Sequence, residues 1–389
     1  MTVQAIGQET LQEVEAFRDA LRRICADGFG REHLQWERAG EMPREAWRQA
    51  GALGLLCVDV PEAQGGQGGS FLHAAAVIET LAEAGLSGPL YSFMVHSDIV
   101  TPYIRQYATA ALRERWVPAL CSGDAIAAIA MTEPGAGSDL KSMATTAQQH
   151  ADGGFVINGA KTFITNGGVA DLIVVCAKTS PEKGARGISL FAIDGTTPGL
   201  QRGRTLEKLG MRACNTSELF FDNMHVPASA LLGEKDKGFG YLMSQLPRER
   251  LAIAIAAMAT AESVLRQTVD YVRQRKVFGR PLSEFQNTAF TLAEMQAQTV
   301  VARAFADQCI RRQATGELDA VTAAIAKQQL SELLGRVVDA CVQLHGGYGY
   351  MWEYPVTRAY ADARVLRIFG GSNEVMKEIV SRRLFDANQ

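Results

Sequence analysis

The sequence predicts an α+β fold in three successive parts: helical, then β, then helical. Three observations carry that prediction. From Glu9 to about Tyr107, apolar residues recur at helical spacing; near Asp124 the chain changes to short apolar runs punctuated by Gly, Asp and Asn; from Tyr241 onward the helical period returns. This order is not the alternating strand and helix of a doubly wound nucleotide-binding sheet, and no Gly-x-Gly-x-x-Gly follows a strand. The expected domains are residues 1–123, 124–236 and 237–389.

Composition narrows the function classes. A chain of 389 residues, 47% apolar and 21% charged, is long enough for a large core. A net charge of −3 leaves no basic excess, so nucleic acid is not an expected partner. Seven cysteines are scattered without a close pair, which argues for a reducing compartment and against a zinc site or disulfide framework. The stretch 1–16 is acidic and has no long apolar run, so neither a signal peptide nor a transit peptide is expected. No segment reads as a membrane span, and the cytoplasm is the expected location.

The first part opens with a helical pattern over 9–26, and Pro43 is placed to start another before Glu45-Ala46-Trp47. Pro61-Glu62-Ala63-Gln64-Gly65-Gly66-Gln67-Gly68-Gly69 reads as a flexible loop before a helix over 71–84. In the second part, strands are expected over 126–131, 154–159, 172–177, 187–193 and 218–226, with 233–240 closing the domain. The third part holds helices over 285–314, over 318–344 and from Ser372.

Near the start of the third part stands Leu246-Pro247-Arg248-Glu249-Arg250-Leu251. Apolar residues at Leu251, Ile255, Met258, Leu265, Val269 and Val272 give one buried stripe, and Phe278-Gly279-Arg280-Pro281 should stop it. A helix of roughly eight turns is expected to begin just after Pro247. That places Glu249 in the first turn between two arginines. There it is either a solvated acid favouring the helix dipole or a general base on a rigid element. Spacing alone leaves both readings open.

Two stretches of the β part look chemical. Met131-Thr132-Glu133-Pro134-Gly135-Ala136-Gly137-Ser138-Asp139 ends a strand in a turn of small residues, where backbone N–H groups and close approach are available to a planar or phosphorylated ligand. It is equally a tight connection. In Lys161-Thr162-Phe163-Ile164-Thr165-Asn166-Gly167-Gly168, Phe163 and Thr165 are two apart and share one side of an extended chain. One can stack on a ring while the other hydrogen-bonds its edge.

These two stretches resemble the flavin-binding signatures of the acyl-CoA dehydrogenase family. Further agreement runs along nearly the whole chain: Pro61-Glu62 with Gly65-Gly66, Lys208-Leu209-Gly210-Met211-Arg212, Arg275-Lys276-Val277-Phe278-Gly279, Phe285-Gln286 and Gln343-Leu344-His345-Gly346-Gly347-Tyr348-Gly349. The resemblance implies a helical N-terminal domain, a central β-barrel-like domain and a C-terminal four-helix bundle, assembled as a homotetramer, with FAD between the β domain and the bundle. It implies flavin contacts at Met131, Thr132, Gly137, Ser138, Phe163 and Thr165. Phe163 stands where the family usually has Trp, so stacking survives and the indole donor is lost. Arg275, Phe278, Gln286, Gln343, Gly346 and Gly347 would hold the ADP half of the FAD bound by a neighbouring subunit. Ser138, Arg250 and Phe369 would meet the substrate.

The chain departs from the family at one decisive point. Most members carry the catalytic Glu just before a Gly at the start of the last helix; here the segment reads Arg367-Ile368-Phe369-Gly370-Gly371-Ser372-Asn373-Glu374, and the position is Gly370. Members of the long-chain and isovaleryl type carry the Glu on the helix after the β domain, before an Arg-Leu pair, and Glu249-Arg250-Leu251 matches. The resemblance therefore implies α,β-dehydrogenation of an acyl-CoA, with Glu249 as base, FAD as hydride acceptor and the backbone N–H of Gly370 as a donor to the thioester carbonyl. Ser372 and Glu374 fall on the flavin side. An electron-transferring flavoprotein is the implied electron acceptor. Two alternatives accompany this reading: dehydrogenation of an acyl or aminoacyl group tethered to a carrier protein, and a non-catalytic flavin-binding subunit.

Overall fold

The computed structural model describes residues 7–386. Residues 1–6, part of the acidic N-terminal stretch, lie outside the described residues. The first part holds α1 (Gln8–Asp27), α2 (Phe29–Ala39), α3 (Arg44–Ala52), α4 (Phe71–Glu83), α5 (Ser87–Phe93), α6 (Thr101–Tyr107) and α7 (Ala110–Ser122). Ser70 starts α4: its Oγ accepts from the Leu72 N–H, while His73 Nδ1 accepts from the Ser70 N–H. These bonds satisfy two backbone donors that a helix start would otherwise leave open. A π-helical turn, Met94–Val100, joins α5 to α6. Such an insertion re-aims the side chains that follow it, Tyr103 among them.

The second part is one mixed sheet: β1 (Ala127–Ala130), β2 (Thr146–Gln149), β3 (Phe155–Thr165), β4 (Leu172–Lys178), β5 (Ile188–Asp194), β6 (Leu200–Thr205), β7 (Thr216–Val226) and β8 (Leu231–Leu232). The strand order is β6-β7-β3-β2-β4-β5-β8, with β1 parallel to β4. One face packs on Ile157, Ile173, Val175, Phe191 and Leu219 as a core of its own. Strands β2, β6 and β8 escape the apolar period because Thr146-Ala147-Gln148-Gln149 and Leu200-Gln201-Arg202-Gly203-Arg204-Thr205 are largely polar and Leu231-Leu232 is very short.

The third part holds α8 (Gly238–Gln274), the short pair β9 (Lys276–Val277) and β10 (Arg280–Pro281), then α9 (Gln286–Ala314), α10 (Ala320–His345), α11 (Pro355–Ala363) and α12 (Asn373–Asp386). Helices α8, α9 and α10 pack on one another, α12 packs on α10, and α4 also lies along α8.

Three local expectations change. Helix α8 begins at Gly238, not after Pro247, and Pro247 lies inside it. Burial of Leu242 and Leu246 outweighs the hydrogen bond that proline deletes. Glu249 therefore stands about three turns inside the helix, beyond the reach of the N-terminal dipole. At the other end α8 stops at Gln274, because Phe278 (φ 50°) and Gly279 (φ 82°) form the left-handed turn between β9 and β10. Finally, Phe163 is not in regular extended chain: its φ is 59°, at a register shift between β3 and β7. Strict alternation therefore does not set its direction relative to Thr165.

A buried ion pair fixes the turn after β1. Lys161 Nζ is 2.8 Å from Glu133 Oε1 and 3.0 Å from the Met131 carbonyl, while Glu133 also accepts from the N–H groups of Ala144 and Thr145. Burial opposes the ionised form of Glu133, but the bonds from Lys161 and the main chain hold its carboxyl below the usual range. Replacing Lys161 with Met strands that carboxylate. The expected loss is about 3–5 kcal/mol in chemical unfolding, and a loss below about 1 kcal/mol would contradict this role.

Candidate active site

Glu249 projects from α8 into the interior and is 3% exposed. Its Oε1 accepts a hydrogen bond of 2.7 Å from the hydroxyl of Tyr103, which is itself fully buried on α6. Loss of water pushes the Glu249 carboxyl up to about 7, while the Tyr103 bond and the Arg250 charge pull the other way. The flanking arginines do not clamp it. Arg248 turns to Asp59 at 2.7 Å and Asp98 at 3.0 Å. Arg250 is buried, and its Nε has no hydrogen-bond acceptor. The solvated reading of Glu249 is thereby overturned. Sequence reasoning missed Tyr103, one of two tyrosines in α6 and 146 positions away from Glu249.

One turn along α8 from Glu249, on the same stripe, is Ile253. A β-carbon added at Gly370 would overlap Cδ1 of Ile253, and Gly370 has φ +64°. The turn containing Gly370 and Gly371 therefore lies directly over the face of α8 that carries Glu249. A β-carbon at Gly371 would come within 4.0 Å of Arg250 Nη2, so Arg250 faces the same turn. Phe369, half-buried, packs its ring 5.8 Å from Tyr91 of α5. Glu249, Arg250, Phe369 and Gly370 are thus brought together. Glu374 is different: it is exposed at the start of α12, and hydrogen bonds from its own N–H and Ser372 hold its carboxyl below the usual range. Ser372 Oγ also accepts from the Val375 N–H as the cap of that helix.

The two β-domain stretches lie side by side. The Thr162 N–H donates to the Thr132 carbonyl at 2.9 Å, and the bond from Lys161 to Met131 adds a second link. Met131, Thr132 and Thr165 are half-buried, whereas Gly137 and Ser138 are exposed. Phe163 is held outward, 67% exposed, at its positive φ. In the neighbouring stretch, β-carbons at Gly135 and Gly137 would meet nothing within 4 Å. An exposed apolar ring, half-buried hydroxyls at Thr132 and Thr165 and an open, small-residue turn fit the isoalloxazine of FAD. Asn166 Nδ2 donates to Ser92 at the end of α5 and to Ala127 on β1, so this surface is fixed to the helical part.

The remaining predicted residues form a separate group. Arg275 lies over the ring of Tyr348 at 5.5 Å, and Phe278, 96% exposed, is 6.4 Å from Phe285. Gln286, Gln343, Gly346 and Gly347 are exposed. Along α8, Arg275 is roughly 40 Å from Glu249 at 1.5 Å per residue.

Comparison with known proteins finds relatives along nearly the whole chain. Residues 12–124, 128–224 and 236–385 match the N-terminal, middle and C-terminal domains of acyl-CoA dehydrogenase. The chain is similar to the mitochondrial long-chain specific acyl-CoA dehydrogenase of Rattus norvegicus, 46% identical over 96% of this chain and 86% of that one. It also resembles the crystal structure of an acyl-CoA dehydrogenase from Geobacillus kaustophilus, with TM-score 0.94, 44% identity and coverage of 99% and 100% of the two chains. A chain in a structure described as the electron transferring flavoprotein of Acidaminococcus fermentans aligns with TM-score 0.92 and 29% identity, over 99% and 100%. Matched across all three parts, the chain belongs to the acyl-CoA dehydrogenase family, whose members are FAD-dependent oxidoreductases of acyl-CoA thioesters.

Proposed function

We propose that this chain dehydrogenates an acyl-CoA between its α and β carbons to the trans-2-enoyl-CoA, with Glu249 as the general base. The observation that carries the reading is a buried carboxyl, pushed up to about 7 and held by one hydroxyl, facing a turn with no side chain at Gly370. An α-proton of a thioester is weakly acidic, and a base matched to neutral pH removes it best. The Gly370 N–H is the donor to the thioester carbonyl as negative charge develops there. Arg250, buried and with no acceptor for its Nε among the described residues, adds positive charge beside that turn.

Met131, Thr132, Gly137, Ser138, Phe163 and Thr165 would hold the flavin ring, with Ser372 and Glu374 at its far side. FAD, when bound, supplies the acceptor for the hydride of the β-carbon. Ser138 and Phe369 would border the acyl thioester. The electron acceptor proposed is an electron-transferring flavoprotein, supported by the likeness to the Acidaminococcus fermentans chain. The cytoplasm remains the proposed compartment; all seven cysteines are buried and free, which fits reducing surroundings, although the rat relative is mitochondrial. Among the described residues no helix is long and apolar enough to cross a membrane.

The test is the rate of anaerobic flavin reduction by a series of acyl-CoA chain lengths across pH. Glu249 accepts a proton only when ionised, so the rate should rise with pH up to about 7 and then level. Tyr103 donates to the ionised form, so Tyr103→Phe should move the rising limb to higher pH and slow reduction at pH 7 by about tenfold. A pH-independent rate, or a Tyr103→Phe profile identical to wild type, would contradict the assignment.

The separation of Arg275 from Glu249 exceeds the span between the two ends of one FAD. We therefore place Arg275, Phe278, Gln286, Gln343, Gly346 and Gly347 on the ADP half of a cofactor bound mainly by a second subunit, in a homotetramer. Arg275→Ala should then raise the dissociation constant for FAD by about tenfold or more, as loss of a charge-assisted bond to phosphate would. A monomer in sedimentation that keeps FAD fully would refute the arrangement.

A further inference from the structure

Lys327 lies on the apolar stripe of α10, flanked at helical spacing by Ala323, Ala324, Leu330 and Leu334, and is 0% exposed. A lysine there is costly, and an apolar residue of similar size would suit the core as well or better. Its ammonium has two specific acceptors. Nζ donates to the Gly371 carbonyl at 2.7 Å and to Asn373 Oδ1 at 2.9 Å. Asn373, 1% exposed, completes the set by donating to Ser331 Oγ at 3.0 Å and Glu332 Oε1 at 2.9 Å. Lys327 is pulled down to about 8 by burial and by the charge of Arg250, with Glu374 and Glu332 acting in the opposite sense.

What it holds is the turn over Glu249. Gly370 and Gly371 both have left-handed φ, +64° and +88°. Two consecutive glycines leave a chain free to adopt many conformations and give it no side chain to wedge it in place. A backbone N–H that must meet a thioester carbonyl has to be held within about 0.5 Å.

We propose that Lys327 is a positioning residue that pins the Gly370-Gly371 turn from beneath, through the Gly371 carbonyl and Asn373, so that the Gly370 N–H faces the acyl thioester opposite Glu249. This rests on the dehydrogenase reading above. The pin itself is a statement about the turn and is measured independently of turnover.

The experiment compares Lys327→Met with wild type, as holoenzymes, by amide hydrogen exchange over residues 367–376 and by steady-state kinetics with an acyl-CoA. The expected result is exchange about tenfold faster in that segment alone, with the peptide containing Tyr103 unchanged. Turnover should fall about 10- to 100-fold in kcat with KM altered much less, as for a misplaced transition-state donor. Wild-type exchange in 367–376, or normal kcat with accelerated exchange, would overturn the proposal. If the Met variant does not fold, Asn373→Ala loosens the same turn while leaving Lys327 in place, and unchanged exchange there would overturn it equally. A wild-type enzyme inactive on every acyl-CoA would instead sink the dehydrogenase reading, while the exchange result still decides the pin.

Discussion

A carboxyl group stripped of water and left with one hydroxyl donor is poised between its two protonation states. Glu249 is in that position: burial raises it, and the bond from Tyr103 together with the charge of Arg250 limits the rise. The surroundings serve this balance. Arg248, the other flanking arginine, is already engaged by Asp59 and Asp98. Tyr103 is delivered by α6 after a π-helical turn, and α4 backs the helix on which Glu249 sits. A carboxylate carried on a long packed helix has little freedom to swing, which would suit the proposed proton abstraction at a fixed carbon.

The same packing leaves room for one carboxylate beside this turn and not two. Ile253, a turn from Glu249, fills the space a side chain at Gly370 would need, and the backbone at Gly370 is left-handed. A carboxylate on α8 thus goes with an empty position on the facing turn. The turn keeps what glycine still offers, an N–H, and Lys327 holds it from the other side.

Much of this was legible in the sequence because it depends on periodicity and local chemistry. The three-part order follows from apolar spacing, and Phe278-Gly279-Arg280-Pro281 signals the end of α8 only to within a turn, since the helix stops at Gln274. What escaped depends on contacts between distant segments. Pro247 inside α8 is tolerated because Leu242 and Leu246 are buried, which local propensity does not register. The bulge that turns Phe163 outward arises from pairing of β3 with β7. Tyr103 left no signal at all. Lys327 did leave one: a lone cation on the buried stripe of α10, where helical spacing calls for an apolar residue.

The central claim is that Glu249 takes the α-proton. The most direct measurement is anaerobic reduction of the bound flavin by acyl-CoA in Glu249→Gln, which preserves size and helix propensity but not basicity. Reduction should slow by about 100- to 10,000-fold, with FAD content and unfolding behaviour like wild type. Reduction within about threefold of wild type would place the base elsewhere and contradict the account.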